Sequence, residues 1–393
     1  MSKQWKVWVA NICIGAYRLL SIGPKATCPP VHEQRFSRLV VFSTTALGDF
    51  MLNTPAIRAL RNRYPDASIT LVANPRNRDL VSACPYIDDF VFWDHKAKSI
   101  VATIWRLRKR KPQLAVILHS KAPYDLIAAV FAGCSYLFKN IYDDELPGQE
   151  RWLEAATWTC DEGHLIQSKL DLVGHLGCDT SNPEMFAPVR AVTSGSPGSI
   201  VIGFQLGASQ PVRCWPIEHF IRLAKALLAE AGDIEIALIG SDRERSLENA
   251  LLSGLTVQER QRVVSYVGRT TLPTLLAVIQ RMKVLVTGDT GPLHLAIALK
   301  VKTVSLFATA SPRKTGPYQD MALHKVLHVA MDRRQLAGAE RLHPMAYIQV
   351  DEVLHAVMAS MRGAETGHPQ LLPATARAVQ RTAREEVAVL AVS

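Results

Sequence analysis

The sequence predicts an α/β protein with two Rossmann-like domains, each built on a doubly wound parallel sheet. Three observations predict this class. Short apolar, β-rich runs alternate with segments of helical periodicity, the alternation forms two separate series, and a stretch rich in Pro, Ser and Gly lies between the series. A chain of 393 residues is long enough for two domains that each bury a core.

The first series starts at Arg38. LVVFS predicts a short buried strand, TALGD a loop, and FMLNTPAIRALRNRYP a helix that ends at Pro65. A second strand is predicted at residues 68–73, which completes a βαβ unit. The series continues with strands at 89–93 and 114–118 and a helix at 98–110.

The segment NPEMFAPVRAVTSGSPG, residues 182–198, has no hydrophobic period and predicts the linker. After it, strands are predicted at 200–205, 235–240, 263–266, 284–287 and 303–307, and helices at 217–230, 242–252, 271–281, 291–299 and 350–361. The predicted organisation is an N-terminal extension (1–35), a first domain (36–190), a second domain (199–345), a C-terminal helix (346–362) and a mobile tail (363–393).

Composition limits the partners and the compartment. The net charge of +10 favours anionic partners such as phosphorylated molecules or acidic lipids. Nucleic acid is disfavoured because the chain has no interleaved basic and aromatic repeat and no zinc-finger spacing. The seven cysteines never form CxxC, which argues against a disulfide framework and a structural zinc site and favours a reducing cytosol.

The N-terminal segment contains an apolar stretch, residues 7–17, that is too short to span a bilayer. A helix here would place Trp5, Trp8, Ile12 and Leu19 along one side, with Lys3, Lys6 and Arg18 available to meet anionic lipid. Two interpretations stay open: an interfacial anchor, and a helix packed on the protein's own surface.

Three loops are predicted at carboxyl ends of strands, where parallel sheets bind ligands. The first places Thr287, Gly288, Asp289, Thr290 and Gly291 between a strand and a helix, so that successive backbone amides near Thr290 to His294 face an anion such as a diphosphate. Asp289 would accept hydrogen bonds from sugar hydroxyls just beyond the phosphates. The alternative is an ordinary strand-to-helix turn capped by Asp289 or Thr290.

The other two loops carry an arginine and an aspartate. In GFQLGASQPVRCWPIEHF, small residues including Ser209 permit close approach of a ligand, and Arg213 could hold a phosphate bidentately or be a surface arginine. In STTALGDF, Gly48 permits a tight turn, and Asp49 at the helix start is either a cap or an exposed general base.

The three loops together resemble the heptosyltransferase family, glycosyltransferase family 9. The resemblance extends from about Arg38 to Met361. It rests on RLVVFSTTALGDFMLNTPAIRALRNRYPDASITLVA in the first domain, and on GASQPVRCWPIEHF, TGDTGPLHLAIAL and TVSLFATASPRKTGPY in the second.

The resemblance implies a GT-B architecture, with two domains facing across a cleft, and inverting, metal-independent transfer of heptose from ADP-heptose to the lipopolysaccharide inner core. Asp49 matches the family's general base, with Gly48 and Thr45 on the acceptor side. Arg213 matches a residue that contacts the donor phosphates. The other residues expected on the donor side are Ser209, Asp289, Thr290, Gly291 and His294, with Asp289 directed at the sugar.

The implied partners are a nucleotide-sugar donor and a lipid-linked oligosaccharide acceptor, with no cofactor, metal or nucleic acid. The implied place is the cytoplasm, with peripheral contact at the inner membrane if the N-terminal segment is an interfacial anchor. The loops STTALGD and FATASP depart from the family's usual sequences, which leaves a protein or another glycan open as acceptor. Two further alternatives are a catalytically silent scaffold and a dinucleotide-binding oxidoreductase, and the latter is disfavoured because GxGxxG is absent after the first strand.

Overall fold

The protein contains two parallel sheets, each covered by helices. The computed structural model describes residues 4–21, 31–142, 145, 148–159, 163–188, 199–329, 343–362 and 372–373. Most of the predicted linker, most of the predicted tail and Lys3 lie outside these residues.

The first sheet has six strands in the order β3-β2-β1-β4-β5-β6. Its strands are β1 (Arg38–Ser43), β2 (Ser68–Ala73), β3 (Asp89–Phe92), β4 (Leu114–His119), β5 (Tyr136–Ile141) and β6 (Ala155–Trp158). The helices of this half are α1 (Gln4–Ser21), α2 (Leu47–Arg63), α3 (Arg78–Val81), α4 (Ile100–Arg108), α5 (Tyr124–Ala132) and α6 (Leu165–Gly174).

The second sheet has seven strands in the order β13-β12-β11-β10-β7-β8-β9. Its strands are β7 (Ile200–Gln205), β8 (Ile234–Ile239), β9 (Val263–Ser265), β10 (Val284–Gly288), β11 (Lys302–Phe307), β12 (His324–His328) and β13 (Leu372–Pro373). The helices of this half are α7 (Ile217–Glu230), α8 (Arg245–Ser253), α9 (Val257–Arg260), α10 (Leu272–Gln280), α11 (Gly291–Ala298), α12 (Pro312–Thr315) and α13 (Val350–Arg362).

The central strands are buried on both faces, which explains why they appear in the sequence as continuous apolar runs. In β1 every residue after Arg38 is buried, as expected for a parallel strand with helices on both sides. The helix α2 continues through Pro55, where the missing amide would leave the Met51 carbonyl without its helical donor. The Thr54 hydroxyl donates to that carbonyl at 2.7 Å, so a hydrogen bond is kept.

Both sheets change strand order at one point, and these two points locate the ligand site. In the first sheet the change lies between β1 and β4, and in the second between β7 and β10. Ligands of open α/β sheets bind outside the carboxyl ends of the strands at such a point. All three loops predicted to bind ligand follow β1, β7 or β10.

Most predicted elements are confirmed, with small shifts at their ends. The strands predicted at 68–73 and 200–205 and the helix predicted at 217–230 have those bounds in the structure. One difference bears on the site: α2 begins at Leu47, so Gly48 and Asp49 lie in its first turn and not in a loop. Leu372–Pro373, within the predicted tail, pairs with β12 as an edge strand.

Candidate active site

A cleft of about 920 Å³ lies where the two domains meet. It is lined by the start of α2 from the first domain and by the loops after β7, β8, β10 and β11 from the second. Eight of the nine residues predicted at the site line this cleft: Gly48, Asp49, Ser209, Arg213, Asp289, Thr290, Gly291 and His294. The ninth, Thr45, is not part of the lining, and its carbonyl accepts a hydrogen bond from Asn77 at 3.3 Å.

Asp49 is both a helix cap and an exposed carboxylate. Its Oδ2 accepts a hydrogen bond from the Ala46 backbone amide at 3.1 Å, which anchors the start of α2. Its Oδ1 lies 3.5 Å from Nδ1 of His119, and 29% of the side chain remains exposed. The two readings of this residue are therefore compatible, because one oxygen holds the helix end while the side chain still reaches the cleft.

Two buried basic side chains, His119 and Lys169, lie behind Asp49, and neither was predicted from the sequence. His119 ends β4 at the switch point and stacks on Tyr142 with ring centroids 4.3 Å apart. Burial lowers the pKa of His119 to about 4, so its contact with Asp49 at neutral pH is not an ion pair. Lys169 donates to the Tyr142 hydroxyl at 3.0 Å, and burial lowers its pKa to about 7.

The second domain contributes an arginine, an aspartate and a histidine in mutual contact. Arg213 Nη1 lies 3.5 Å from Asp289 Oδ2, and His294 Nε2 lies 3.9 Å from Asp289 Oδ1. Burial lowers the pKa of His294, while Asp289 and Asp49 oppose that shift. Since Asp49 belongs to the first domain, His294 lies within electrostatic reach of a carboxylate from each side of the cleft.

The start of α11 is not capped by the side chain that precedes it. Thr290 is the residue before the first turn, yet its hydroxyl makes no cap hydrogen bond and lies 3.0 Å from the Thr287 hydroxyl. The sequence predicted anion-facing amides near Thr290 to His294, and two of these positions have no free amide hydrogen. Pro292 has no amide hydrogen, and the Leu293 amide donates to the Thr290 carbonyl at 3.1 Å. The amides at Thr290 and Gly291 remain as the candidates for an anion.

The starts of α2 and α11 approach each other through two glycines. A Cβ added to Gly48 would lie 2.9 Å from Cδ2 of His294, and one added to Gly291 would lie 2.9 Å from Cδ2 of Leu47. Two positive helix ends therefore face the same cleft, one from each domain. Buried apolar residues of both domains, among them Leu52 and Leu293, form one continuous cluster beneath this contact.

Comparison with known proteins shows which family the chain resembles. The family model described as glycosyltransferase family 9 (heptosyltransferase) matches residues 185–337. The lipopolysaccharide heptosyltransferase 2 of Escherichia coli K12 is 26% identical over 305 residues, which are 72% of this chain and 86% of that protein. The chain is similar to the heptosyltransferases of glycosyltransferase family 9. This similarity confirms the resemblance noted in the sequence, and the protein is a glycosyltransferase.

Solved structures support the GT-B fold of this glycosyltransferase. A family 9 glycosyltransferase from Veillonella parvula superposes with a TM-score of 0.71 at 21% identity, covering 84% of this chain and 99% of that one. An ADP-heptose lipopolysaccharide heptosyltransferase II from Escherichia coli superposes with a TM-score of 0.67 at 22% identity, covering 84% and 100%. The predicted fold, two Rossmann-like domains facing across a cleft, is confirmed.

Other residues of the cleft were not predicted. The cleft continues along the carboxyl end of β8, where it is lined by Ser241, Arg243 and Glu244. Lys314 lines it after β11. The Glu244 carboxylate accepts from the Ser241 hydroxyl at 2.7 Å, which fixes this turn. Because these residues and His119 lie at the ends of strands, they could have been predicted from the sequence. Nothing in the sequence around Lys169 indicates its role. Among the described residues, no three His, Cys, Asp or Glu side chains are grouped so that they could hold a metal ion.

Gly48→Ala is expected to lower kcat/KM by about tenfold or more, because overpacking a close contact costs roughly 1–3 kcal/mol. The added methyl would meet the buried ring of His294. The starts of α2 and α11 would therefore separate, and the carboxylates of Asp49 and Asp289 would move apart. Gly232→Ala is the matched control, since nothing lies within 4 Å of its added Cβ. Steady-state kinetics of both variants test this, and equal kcat/KM values would contradict it.

Lys169→Met is expected to flatten the pH dependence of stability. The pKa of Lys169 falls from 10.5 to about 7 on folding, so the unfolded chain binds more protons between these values. The free energy of unfolding of the wild type should therefore rise with pH across that window, by up to about 1.4 kcal/mol per unit. Urea unfolding across the window measures this, with exposed Lys283→Met as control. Parallel profiles for Lys169→Met and the wild type would refute it.

Proposed function

We propose that this enzyme transfers a heptose from ADP-heptose to a hydroxyl of a lipopolysaccharide inner-core acceptor, by a single displacement that inverts the anomeric carbon. The main support for this proposal is that a candidate base and a candidate phosphate-binding cation lie in one cleft. Asp49, a carboxylate, enters from the first domain, and Arg213, a cation, enters from the second. The similar proteins of Escherichia coli and Salmonella typhimurium are named as lipopolysaccharide heptosyltransferases, which supports the donor and acceptor class.

The second domain is suited to the donor. Its diphosphate would lie at the start of α11, where the Thr290 and Gly291 amides and the helix dipole favour negative charge. Arg213 lies on the same wall, and its Nε is buried with no partner among the described residues. A phosphate oxygen would satisfy that donor. The nucleoside would extend toward the turn at Ser241 and Glu244, where the cleft continues.

Asp289 is suited to the sugar and not to the phosphates. Its carboxylate is held by Arg213 and lies near His294, and only 12% of it is exposed. A carboxylate in this place repels a diphosphate but accepts hydrogen bonds from hydroxyls. We therefore assign it to the hydroxyl groups of the heptose, next to the bond that breaks.

Asp49 is suited to the acceptor as general base. The acceptor oxygen would form its bond to the anomeric carbon as the bond from that carbon to the phosphate oxygen breaks. The hydroxyl proton goes to the Asp49 carboxylate, and ADP leaves with the negative charge that Arg213 and the α11 start stabilise. Because base and leaving group approach from opposite domains, the displacement inverts the configuration.

We propose further that no divalent metal takes part, because the Arg213 guanidinium and the start of α11 supply the positive charge that the leaving group needs.

None of the described helices has both the length and the apolar character that crossing a bilayer requires. We assign the enzyme to the cytoplasm, where nucleotide sugars are available to a core-building enzyme.

The test is incubation of the purified enzyme with ADP-heptose and truncated core oligosaccharides of defined structure, read by mass spectrometry and by NMR of the new anomeric centre. ADP-glucose and UDP-heptose serve as donor controls, and a parallel set contains EDTA. A product carrying one added heptose in the inverted configuration, formed equally with EDTA, is expected. Transfer with retention, or loss of turnover on chelation, would overturn the mechanism, and transfer only from another donor would overturn the substrate.

A further inference from the structure

The helix α1 has two faces with different surroundings. On the inner face Val7, Ala10 and Ile14 are buried. Asn11 accepts a hydrogen bond from the Trp152 indole at 2.8 Å, and Tyr17 stacks on the neighbouring helix α5. These contacts fix the rotation of α1 on the first domain, so they determine which residues point outward.

The outer face of α1 is apolar along its whole length except at Lys6. Its exposed positions follow the helical spacing of three and four residues. A helix packed on a soluble domain normally presents polar side chains at such positions. Here they are occupied by Trp5, Trp8, Val9, Ile12, Cys13, Ala16, Leu19 and Leu20. Trp8 is 67% exposed and Leu19 is 86% exposed.

The helix α4 also exposes large apolar side chains. Both α1 and α4 pack against α5, and buried residues of all three helices belong to one cluster on the same face of the first sheet. On α4, Trp105 is 59% exposed and Val101 is 73% exposed, four residues apart on the outer side. We call the outward residues of the two helices the tryptophan surface, defined by Trp5, Trp8, Ile12, Leu19, Val101 and Trp105.

The charges that α1 and α4 themselves carry have one sign. Neither α1 nor α4 contains an Asp or Glu. Lys6 is exposed on α1, while Arg106, Arg108 and Lys109 are exposed at the end of α4, where the Lys109 ammonium lies 3.4 Å from the Trp105 ring centroid. Tryptophan beside lysine and arginine is the composition that proteins use at the boundary between lipid headgroups and acyl chains.

We infer that the tryptophan surface binds the enzyme to an anionic lipid bilayer, with α1 and α4 lying in the interface and neither spanning it. Lipid acyl chains would cover the tryptophans, and acidic headgroups would pair with the basic residues at the edge. Both interpretations of the N-terminal segment then hold, because α1 packs on its own domain with one face and docks on lipid with the other.

The test is co-sedimentation of the full chain with vesicles of phosphatidylethanolamine and phosphatidylglycerol, compared with phosphatidylcholine. The wild type is expected to bind the anionic vesicles and to lose binding as salt increases. The α1 variant Trp8→Glu/Ile12→Glu and the α4 variant Trp105→Glu should each lower the partition coefficient by about tenfold or more. Val257→Glu is the control, because Val257 is 72% exposed on the second domain.

Two further measurements keep the result decisive. ADP binding should be equal in all variants, which verifies folding. Sedimentation velocity tests whether a second copy of the chain covers the surface instead. Vesicle binding by the variants equal to the wild type would overturn the inference, and so would a wild-type dimer that the Trp8 variant separates. Transfer to a water-soluble core oligosaccharide without vesicles tests the proposed reaction independently of this surface.

Discussion

Asp49→Asn is expected to lower kcat by about 10²–10⁴-fold while ADP binds with unchanged affinity, because a positioned general base contributes on that scale. The amide is the same size as the carboxylate but cannot take the acceptor proton. Its Oδ1 can still accept from the Ala46 amide, which the carboxylate does at 3.1 Å, so the start of α2 should keep its cap. Loss of turnover would then report chemistry and not folding.

The measurement combines steady-state kinetics with calorimetric titration of ADP. Asp66→Asn, at an exposed position after the same helix, is the matched control and should behave as the wild type. If Asp49→Asn retained turnover within about tenfold of the wild type, a barrier change of only about 1.4 kcal/mol, the base would have to be another group.

Arg213→Ala should lower kcat/KM by about 10²–10³-fold, the loss seen when one preorganised donor to a developing negative charge is removed. The variant also leaves Asp289 without the guanidinium that lies 3.5 Å from it. An uncompensated carboxylate would then face the diphosphate, so donor affinity should fall together with turnover. Arg213→Lys should recover part of the loss, since it restores the charge without the planar fork.

Arg243→Ala is the control for general loss of positive charge, because Arg243 lines the same cleft at the end of β8. It should reduce kcat/KM much less than Arg213→Ala. The double variant Arg213→Ala/Asp289→Asn separates two effects: recovery of donor affinity relative to Arg213→Ala would identify repulsion by Asp289. Equal losses for Arg213→Ala and Arg243→Ala would contradict a specific role for Arg213.

Local sequence predicted the central elements well because their signals are strong. Buried parallel strands such as β1 and β7 are short apolar runs, and long periodic helices such as α7 have clear ends. The elements that were missed lie toward sheet edges or are short. The strand β6 is only half-buried, and α5 is a nine-residue apolar helix whose period is hard to distinguish from a strand.

The α/β class, the two series of elements and the ligand-binding loops could be predicted from the order of residues alone, because they depend on periodicity and on residues close together in the chain. Tertiary structure decided what meets across the cleft. Gly48 touches His294 and Lys169 lies behind Asp49 through contacts between distant segments, and no local pattern encodes those. Burial also decided protonation: the environments of His119 and Lys169 lower their pKa values because desolvation penalises the charged forms, and desolvation exists only once the domains have packed.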